Sequence, residues 1–359
     1  MDNLQDNITF ILNPNSWLKM ANIIFMDIPA GSGFSYAETQ EGWISSDSIM
    51  VTQAKDFIKK FLMDHPKFLK NPLYVAGISY VGIVVPKIVL EIYEGNERGD
   101  QPRLNIQGYI LISPLTDKFN DFNSRLEYGY RMALISNDIY KSAIENCHGN
   151  YVNVDSLNAL CANSLHRYEQ CTCRLNLENI LEPYCDPKSD CRTASCKFLD
   201  IWANKEVVQQ ALNVRQGKTG KYVTINNTLH YHQGKNDTKC YAYDIFSSIA
   251  YHKKLLGKNC QALILNGDHD MTFPYLGVEK WIASLNLNIE IPWKPFYVDG
   301  QVGGYHMKYA QNDYSLTFTT VKGGGHMVQV TKPIEAMVVI KRWFSSIIDE
   351  SLHDAPLDM

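Results

Sequence analysis

Apolar runs of strand length alternate with amphipathic stretches along the first third of the chain. Residues 22–27 (Asn-Ile-Ile-Phe-Met-Asp) form a short β-branched run closed by Pro29, Gly31 and Gly33, which predicts a buried strand entering a turn-rich loop. Residues 47–63 carry Ile49, Phe57, Phe61 and Leu62 with Asp47 placed as an N-cap, which predicts a helix. A second strand is expected at 73–76 and a helix at 81–93 that stops near Gly95 and Gly99. A third strand follows at 107–112, ended by Pro114. This alternation predicts a parallel α/β sheet with right-handed crossovers.

The texture changes between residues 116 and 239. Cysteine, Asn, Tyr and short helical patterns replace the strand-helix rhythm, with one clear helix at 205–212. The rhythm resumes with a strand at 262–265, a helix at 275–285, a strand at 316–321 and an amphipathic helix at 334–347. The expected organisation is therefore an α/β core in two parts, 1–115 and 240–359, with 116–239 inserted as a cap.

Composition narrows the function classes. The chain has 359 residues, 45% of them hydrophobic and 20% charged, as in a globular protein. Its 34 basic against 38 acidic residues leave a formal charge of −4, which gives no footprint for nucleic acid or an anionic membrane. No apolar run approaches the roughly 18 residues of a membrane span. Residues 1–7 are polar and acidic, so the sequence as written predicts no signal peptide.

Two features nonetheless point to an oxidising compartment. Cys147, Cys161, Cys171, Cys173, Cys185, Cys191 and Cys196, seven of the nine cysteines, fall in the inserted segment, as in a disulfide-stapled subdomain. Glycosylation sequons occur at Asn7, Asn226 and Asn236. A zinc site competes for the cysteines, but Cys171-Thr172-Cys173 lacks the spacing of zinc ribbons. Nine is an odd number, so at least one thiol is left over, with Cys240 and Cys260 as candidates outside the cluster.

Candidate chemistry sits at three strand ends. Gly77-Ile78-Ser79-Tyr80-Val81-Gly82 lies between a strand and a helix, the setting of a nucleophile elbow. A serine there projects its hydroxyl above the sheet, while N–H groups opening the helix face a developing oxyanion. Plain turn chemistry is the competing reading. Gly267-Asp268-His269-Asp270 follows the strand at 262–265, where doubly wound sheets gather functional groups, although Asp268 could equally cap the next helix. Gly323-Gly324-Gly325-His326 follows the strand at 316–321, and its glycines let the backbone bring an imidazole close to another group. The order Ser79, Asp270, His326 matches the Ser, acid, His order of α/β-hydrolases.

Specific stretches then resemble the serine carboxypeptidase-like family, and within it the plant branch that contains acyltransferases using glucose esters. They are residues 22–36 (NIIFMDIPAGSGFSY), 77–86 (GISYVGIVVP), 113–117 (SPLTD), 202–214 (WANKEVVQQALNV), 267–274 (GDHDMTFP), 302–305 (VGGY) and 322–333 (KGGGHMVQVTKP). The resemblance implies an α/β-hydrolase fold with an inserted, disulfide-bonded cap and a location in the secretory pathway, vacuole or extracellular space. It implies Ser79 as nucleophile, His326 as general base and acid, and Asp270, three residues after the glycine, as the carboxylate that orients the imidazole. The backbone N–H of Tyr80 is implied as an oxyanion donor. The reaction would pass through an acyl-serine, released to water or to an acceptor hydroxyl. The implied partner is a small ester or peptide substrate, with no metal or organic cofactor.

The sequence departs from the family pattern in several places. The family's Asn-Gly-Gly-Pro-Gly-Cys-Ser loop, which supplies a second oxyanion N–H, would precede Asn13 and is not found, so a fold lacking its first strands is expected. Losing one such donor typically costs about 10²- to 10³-fold in rate. At residues 220–226 the cysteine that would bond that loop is also absent. Ile78 replaces an acidic residue, and the β-branched Val81 replaces a small one, which is expected to strain or shift the elbow. Met327, Val328 and Gln329 replace the usual residues of the His loop. Two readings thus stand: an active acyl-transfer enzyme, or an impaired truncated member.

Overall fold

The structure is a computed structural model describing residues 10–184, 186, 194–224 and 240–348. In chain order its strands are β1 (Ile44–Ser46), β2 (Leu73–Ile78), β3 (Ile106–Ile112), β4 (Cys240–Ala242), β5 (Gln261–Gly267), β6 (Asn288–Val298), β7 (Gln301–Gln311) and β8 (Tyr314–Val321). The helices are α1 (Asp47–Asp64), α2 (Val85–Arg98), α3 (Lys118–Arg131), α4 (Asn137–Cys147), α5 (Ala159–Thr172), α6 (Ala194–Ala203), α7 (Glu206–Ala211), α8 (Ile249–Leu255), α9 (Tyr275–Ala283), α10 (Val328–Thr331) and α11 (Pro333–Ile348).

The chain divides into two compact units, Met1–Ile58 with Cys185–Ile245 and Lys59–Tyr184 with Phe246–Met359. These units do not follow the expected core and cap boundaries at 116 and 239. Helices α3, α4 and α5 belong with the large sheet, because Tyr128 of α3 and Leu175 and Leu177 beyond α5 pack with Met271 and Leu276 in one apolar cluster.

The larger unit holds a six-stranded sheet of order β2-β3-β5-β8-β7-β6. Neighbours from β2 to β8 run parallel, and the β8-β7-β6 end is an antiparallel meander. Leu111, Leu263, Ile264 and Leu265 are fully buried, so β3 and β5 read as near-continuous apolar runs, as strands covered on both faces must. All four parallel strands point their carboxyl ends the same way, which brings the loops after β2, β5 and β8 to one edge of the sheet.

In the smaller unit β1 pairs with β4 in parallel. Asp47 does not cap its helix as expected. Its buried carboxylate accepts from the Tyr241 hydroxyl at 2.7 Å and from Ile245 N–H at 2.9 Å, while Ile49 N–H donates to Ser46 Oγ. The strand expected at 22–27 does not form; the segment is irregular and Phe25 is 83% exposed. A turn wins locally, since the Asp27 carboxylate accepts from Phe34 N–H at 2.9 Å and its carbonyl from Ser35 Oγ at 2.5 Å. In the larger unit, the pairing of β6 with β7 is an element the apolar pattern did not indicate.

Candidate active site

Ser79 follows β2 directly with φ at 61°, a left-handed conformation that non-glycine residues adopt at a cost of about 1–3 kcal/mol when the surroundings enforce it. The enforcement is visible on both sides. The Ser79 carbonyl accepts from Leu115 N–H at 3.0 Å, and Gly82 lies so close to Pro114 that an added Cβ would come within 2.4 Å of it. Val81 packs against the start of the turn. Its γ-methyl and that of Val85 occupy the space over Gly77, and the chain runs as a 3₁₀ helix from Ser79 to Ile83 before α2 begins at Val85. The helix expected at 81–93 thus starts four residues late and continues to Arg98. Tyr80 is the second residue of the 3₁₀ turn.

The loop after β5 carries Asp270, which is fully buried. Its Oδ1 accepts from the N–H groups of Thr272 at 2.7 Å and Phe273 at 3.2 Å, and its Oδ2 lies 2.9 Å from His326 Nδ1. A carboxylate only accepts, so Nδ1 carries the proton and Nε2 is left as the basic nitrogen. His326 is 4% exposed and its ring meets Phe273 with centroids 5.6 Å apart.

Asp268 has a different task. Its Oδ1 accepts from Gly323 N–H at 2.7 Å and stands 2.5 Å from His269 Nδ1, which ties the acid loop to the glycine run after β8. His269 N–H donates to the Gly324 carbonyl at 2.8 Å. The two backbones approach so closely that a Cβ on Gly267 would sit 2.2 Å from Gly324 O. Ser79, Asp270 and His326 therefore occupy three loops at one sheet edge, and Asp270 and His326 are in direct contact.

The segment after α5 is fastened to both of these loops. His326 N–H donates to Glu178 O at 2.6 Å, Met271 N–H to Leu177 O at 2.8 Å, and Ile180 N–H to His269 O at 3.1 Å. Tyr128 adds a side-chain bond from its hydroxyl to Asp268 O at 2.9 Å. Burial, then the charges of Asp270 and Asp268, push this phenol far above its ordinary value, so it stays a donor.

The whole of this arrangement lies within the stretch of residues 3–346 that matches the profile of the serine carboxypeptidase family. The chain belongs to that family. Serine carboxypeptidase-like 13 of Arabidopsis thaliana is 43% identical over 332 residues, covering 92% of this chain and 73% of the relative. Serine carboxypeptidase-like 16 of the same plant is 42% identical over 338 residues, covering 94% and 74%. Among solved structures, the prohormone-processing carboxypeptidase Kex1Δp of Saccharomyces cerevisiae superposes with a TM-score of 0.71 at 17% identity, over 94% of this chain and 76% of that one. The fold of this serine carboxypeptidase family member is the α/β-hydrolase fold.

Other residues that the sequence singled out fall elsewhere. Asn7, Asn226 and Asn236 lie outside the described residues. Cys147 and Cys161 form a disulfide, Cys171 and Cys173 are exposed free thiols, and Cys260 is a buried free thiol. Among the described residues no group of three or more His, Cys, Asp and Glu is placed to hold a metal, and no helix is long and apolar enough to cross a membrane. Sequence reasoning missed Tyr128, Leu177 and Glu178 in this serine carboxypeptidase family member. Leu177 and Glu178 accept through their own backbone carbonyls and the Tyr128 hydroxyl donates to the carbonyl of Asp268, and a carbonyl leaves no signature in residue type.

Proposed function

We propose that the chain performs acyl transfer through an acyl-serine at Ser79. The observation that carries this reading is the buried Asp270–His326 pair at 2.9 Å, on the same sheet edge as a serine held at positive φ. His326 Nε2 takes the Ser79 hydroxyl proton as Oγ attacks an ester or peptide carbonyl, and Asp270 stabilises the imidazolium. The Tyr80 N–H faces the oxyanion. His326 then protonates the leaving group, and water or an acceptor hydroxyl releases the acyl group. Water makes the chain a carboxypeptidase or esterase; a hydroxyl makes it an acyltransferase with a glucose ester as donor. Membership of a family that includes the carboxypeptidase-like plant proteins supports both routes.

The test is labelling with a fluorophosphonate, which should modify Ser79 in the folded chain and leave Ser79→Ala unlabelled. Absence of labelling in folded protein would sink the proposal. Paired assays with a blocked dipeptide and with a glucose ester plus an alcohol separate hydrolase from transferase.

A second reading, an impaired member, is favoured by one observation. An oxyanion at Ser79 would face a short 3₁₀ turn, since α2 begins only at Val85. Turnover of an aryl ester that vanishes in Ser79→Ala would overturn it. For location we propose the secretory pathway, vacuole or cell exterior, supported by the Cys147–Cys161 disulfide. Imaging of a tagged chain that found it in the cytosol would refute this.

A further inference from the structure

Arg125 of α3 reaches the acid–imidazole pair by two physical routes. In the first, its Nε and Nη2 donate to the Thr272 carbonyl at 3.2 and 2.7 Å. That carbonyl belongs to the same peptide unit as the Phe273 N–H, which donates to Asp270 Oδ1 at 3.2 Å. A cation on the oxygen and an anion on the N–H polarise one peptide in the same sense, so each bond strengthens the other. The neighbouring Thr272 N–H adds a second bond to Asp270 Oδ1 at 2.7 Å.

The second route runs through rings. The guanidinium carbon lies 4.5 Å from the centre of Phe122, three residues earlier on the same helix face. Phe122 meets Phe273 edge-on at 5.9 Å, and Phe273 meets His326 at 5.6 Å. Both routes end at the pair that the proposed chemistry uses. From other sides, Asn266 Nδ2 donates to Phe273 O at 3.1 Å and Tyr128 holds Asp268 O, so Arg125 completes a ring of side chains around the acid loop.

Placing a guanidinium here has a cost. Burial pulls Arg125 below the usual guanidinium value, while Tyr168, Asp270 and Asp121 act in the opposite direction. A part-buried cation with a backbone carbonyl as its acceptor is an expensive way to build a helix surface.

We propose that Arg125 is a positioning residue for the Asp270–His326 pair, fixing the turn at 270–273 so that Asp270 holds the imidazole in its working orientation. The inference rests on the acyl-transfer reading, and its test includes a readout that needs no turnover. Arg125→Met and Arg125→Lys in the full chain are compared with wild type by the downfield proton resonance of His326 Nδ1–H, assigned by its loss in His326→Gln. Aryl-ester kinetics are measured alongside. In Arg125→Met the resonance should broaden or vanish, kcat should fall about 10- to 100-fold, and KM should stay within about twofold. Arg125→Lys, which keeps the charge and can make one bond, should fall between the two.

A merely structural role would lower the folded fraction and leave the resonance and kcat of folded molecules unchanged. Folded Arg125→Met with a wild-type resonance overturns the inference, whether or not wild type turns over an ester. Should Arg125→Met not fold, the same result in Arg125→Lys overturns it. A wild type that shows the resonance but labels with no fluorophosphonate counts against the acyl-transfer reading alone.

Discussion

Glu178 and His326 share a backbone hydrogen bond of 2.6 Å, His326 N–H to Glu178 O, that fastens the segment after α5 to the loop bearing the buried imidazole. The neighbouring Gly325 leaves no room for a side chain, since a Cβ there would lie 2.6 Å from Glu178 O and 2.7 Å from Asn179 Cβ. Gly325→Ala should therefore push the two loops apart. We expect a loss of about 1–3 kcal/mol in thermal unfolding. Aryl-ester turnover should fall further than stability does, because His326 is the adjacent residue. Unchanged turnover in a folded Gly325→Ala chain would show that the contact is passive.

Asp270→Asn separates geometry from charge. The amide oxygen can still accept from Thr272 and Phe273 N–H, but its NH₂ would face His326 Nδ1 and force the wrong tautomer. By analogy with Ser-His-Asp triads, kcat should fall on the order of 10⁴-fold at pH 7 while the fold persists. Circular dichroism and ester kinetics on the same preparation check both halves.

Asp121 supplies a pH signature. Its carboxyl is buried and accepts from Thr116 N–H at 2.6 Å and Asp117 N–H at 2.9 Å; burial outweighs these bonds and pushes it up to about 7. A carboxyl raised in the folded state contributes stability below its unfolded value near pH 4 that is lost as pH rises through about 7. Asp121→Asn should remove that dependence, so the variant gains on wild type between pH 4 and 8. Melting temperatures across this range that run parallel for the two chains would count against it.

His252 works in the opposite sense. It is fully buried, its Nδ1 lies 2.7 Å from the Tyr109 hydroxyl, and its ring stacks on Trp281 at 4.4 Å. Burial lowers it to about 3, so the folded chain keeps it neutral while the unfolded chain protonates it near pH 6.5. Stability from this site is present above pH 6.5 and drains away as pH falls towards 3. His252→Phe should lower stability at pH 7 by removing one of the two hydrogen bonds of the Tyr109 hydroxyl, which keeps Tyr314 at 2.9 Å, yet flatten the acid limb of the stability curve. Urea unfolding at pH 5 and 7 measures both effects.

The Cys147–Cys161 disulfide closes a loop with a sequence separation of 14 between the end of α4 and the start of α5. Removing it by Cys147→Ser with Cys161→Ser should cost about 2–4 kcal/mol of stability. Chemical denaturation of the double variant checks this, and a loss below about 0.5 kcal/mol would mean that the packing of Leu126, Ile135, Ile139 and Ala143 already holds α4 in place.

The sequence by itself determined the class of fold. The runs that became β3 and β5 are apolar because they are buried on both faces, and burial of that kind is written directly into residue type. The loops carrying Ser79, Asp270 and His326 were legible for a similar reason: each stands at a strand end and is marked by glycines that close approach of backbones requires. Other decisions belonged to tertiary structure. Residues 22–27 have the composition of a strand, yet Asp27 spends its carboxylate on a turn and the segment stays irregular. Pro292 and Pro295 interrupt the apolar alternation of β6, and only the partner β7 makes it a strand. Residue type alone leaves Asp268 and Asp270 equivalent; the fold directs Asp268 to Gly323 N–H and Asp270 to His326. Arg125, Tyr128 and Glu178 gain their places by bonding across long sequence separations to and from the backbone, whose donors and acceptors are the same at nearly every residue and acquire identity only when the chain has folded.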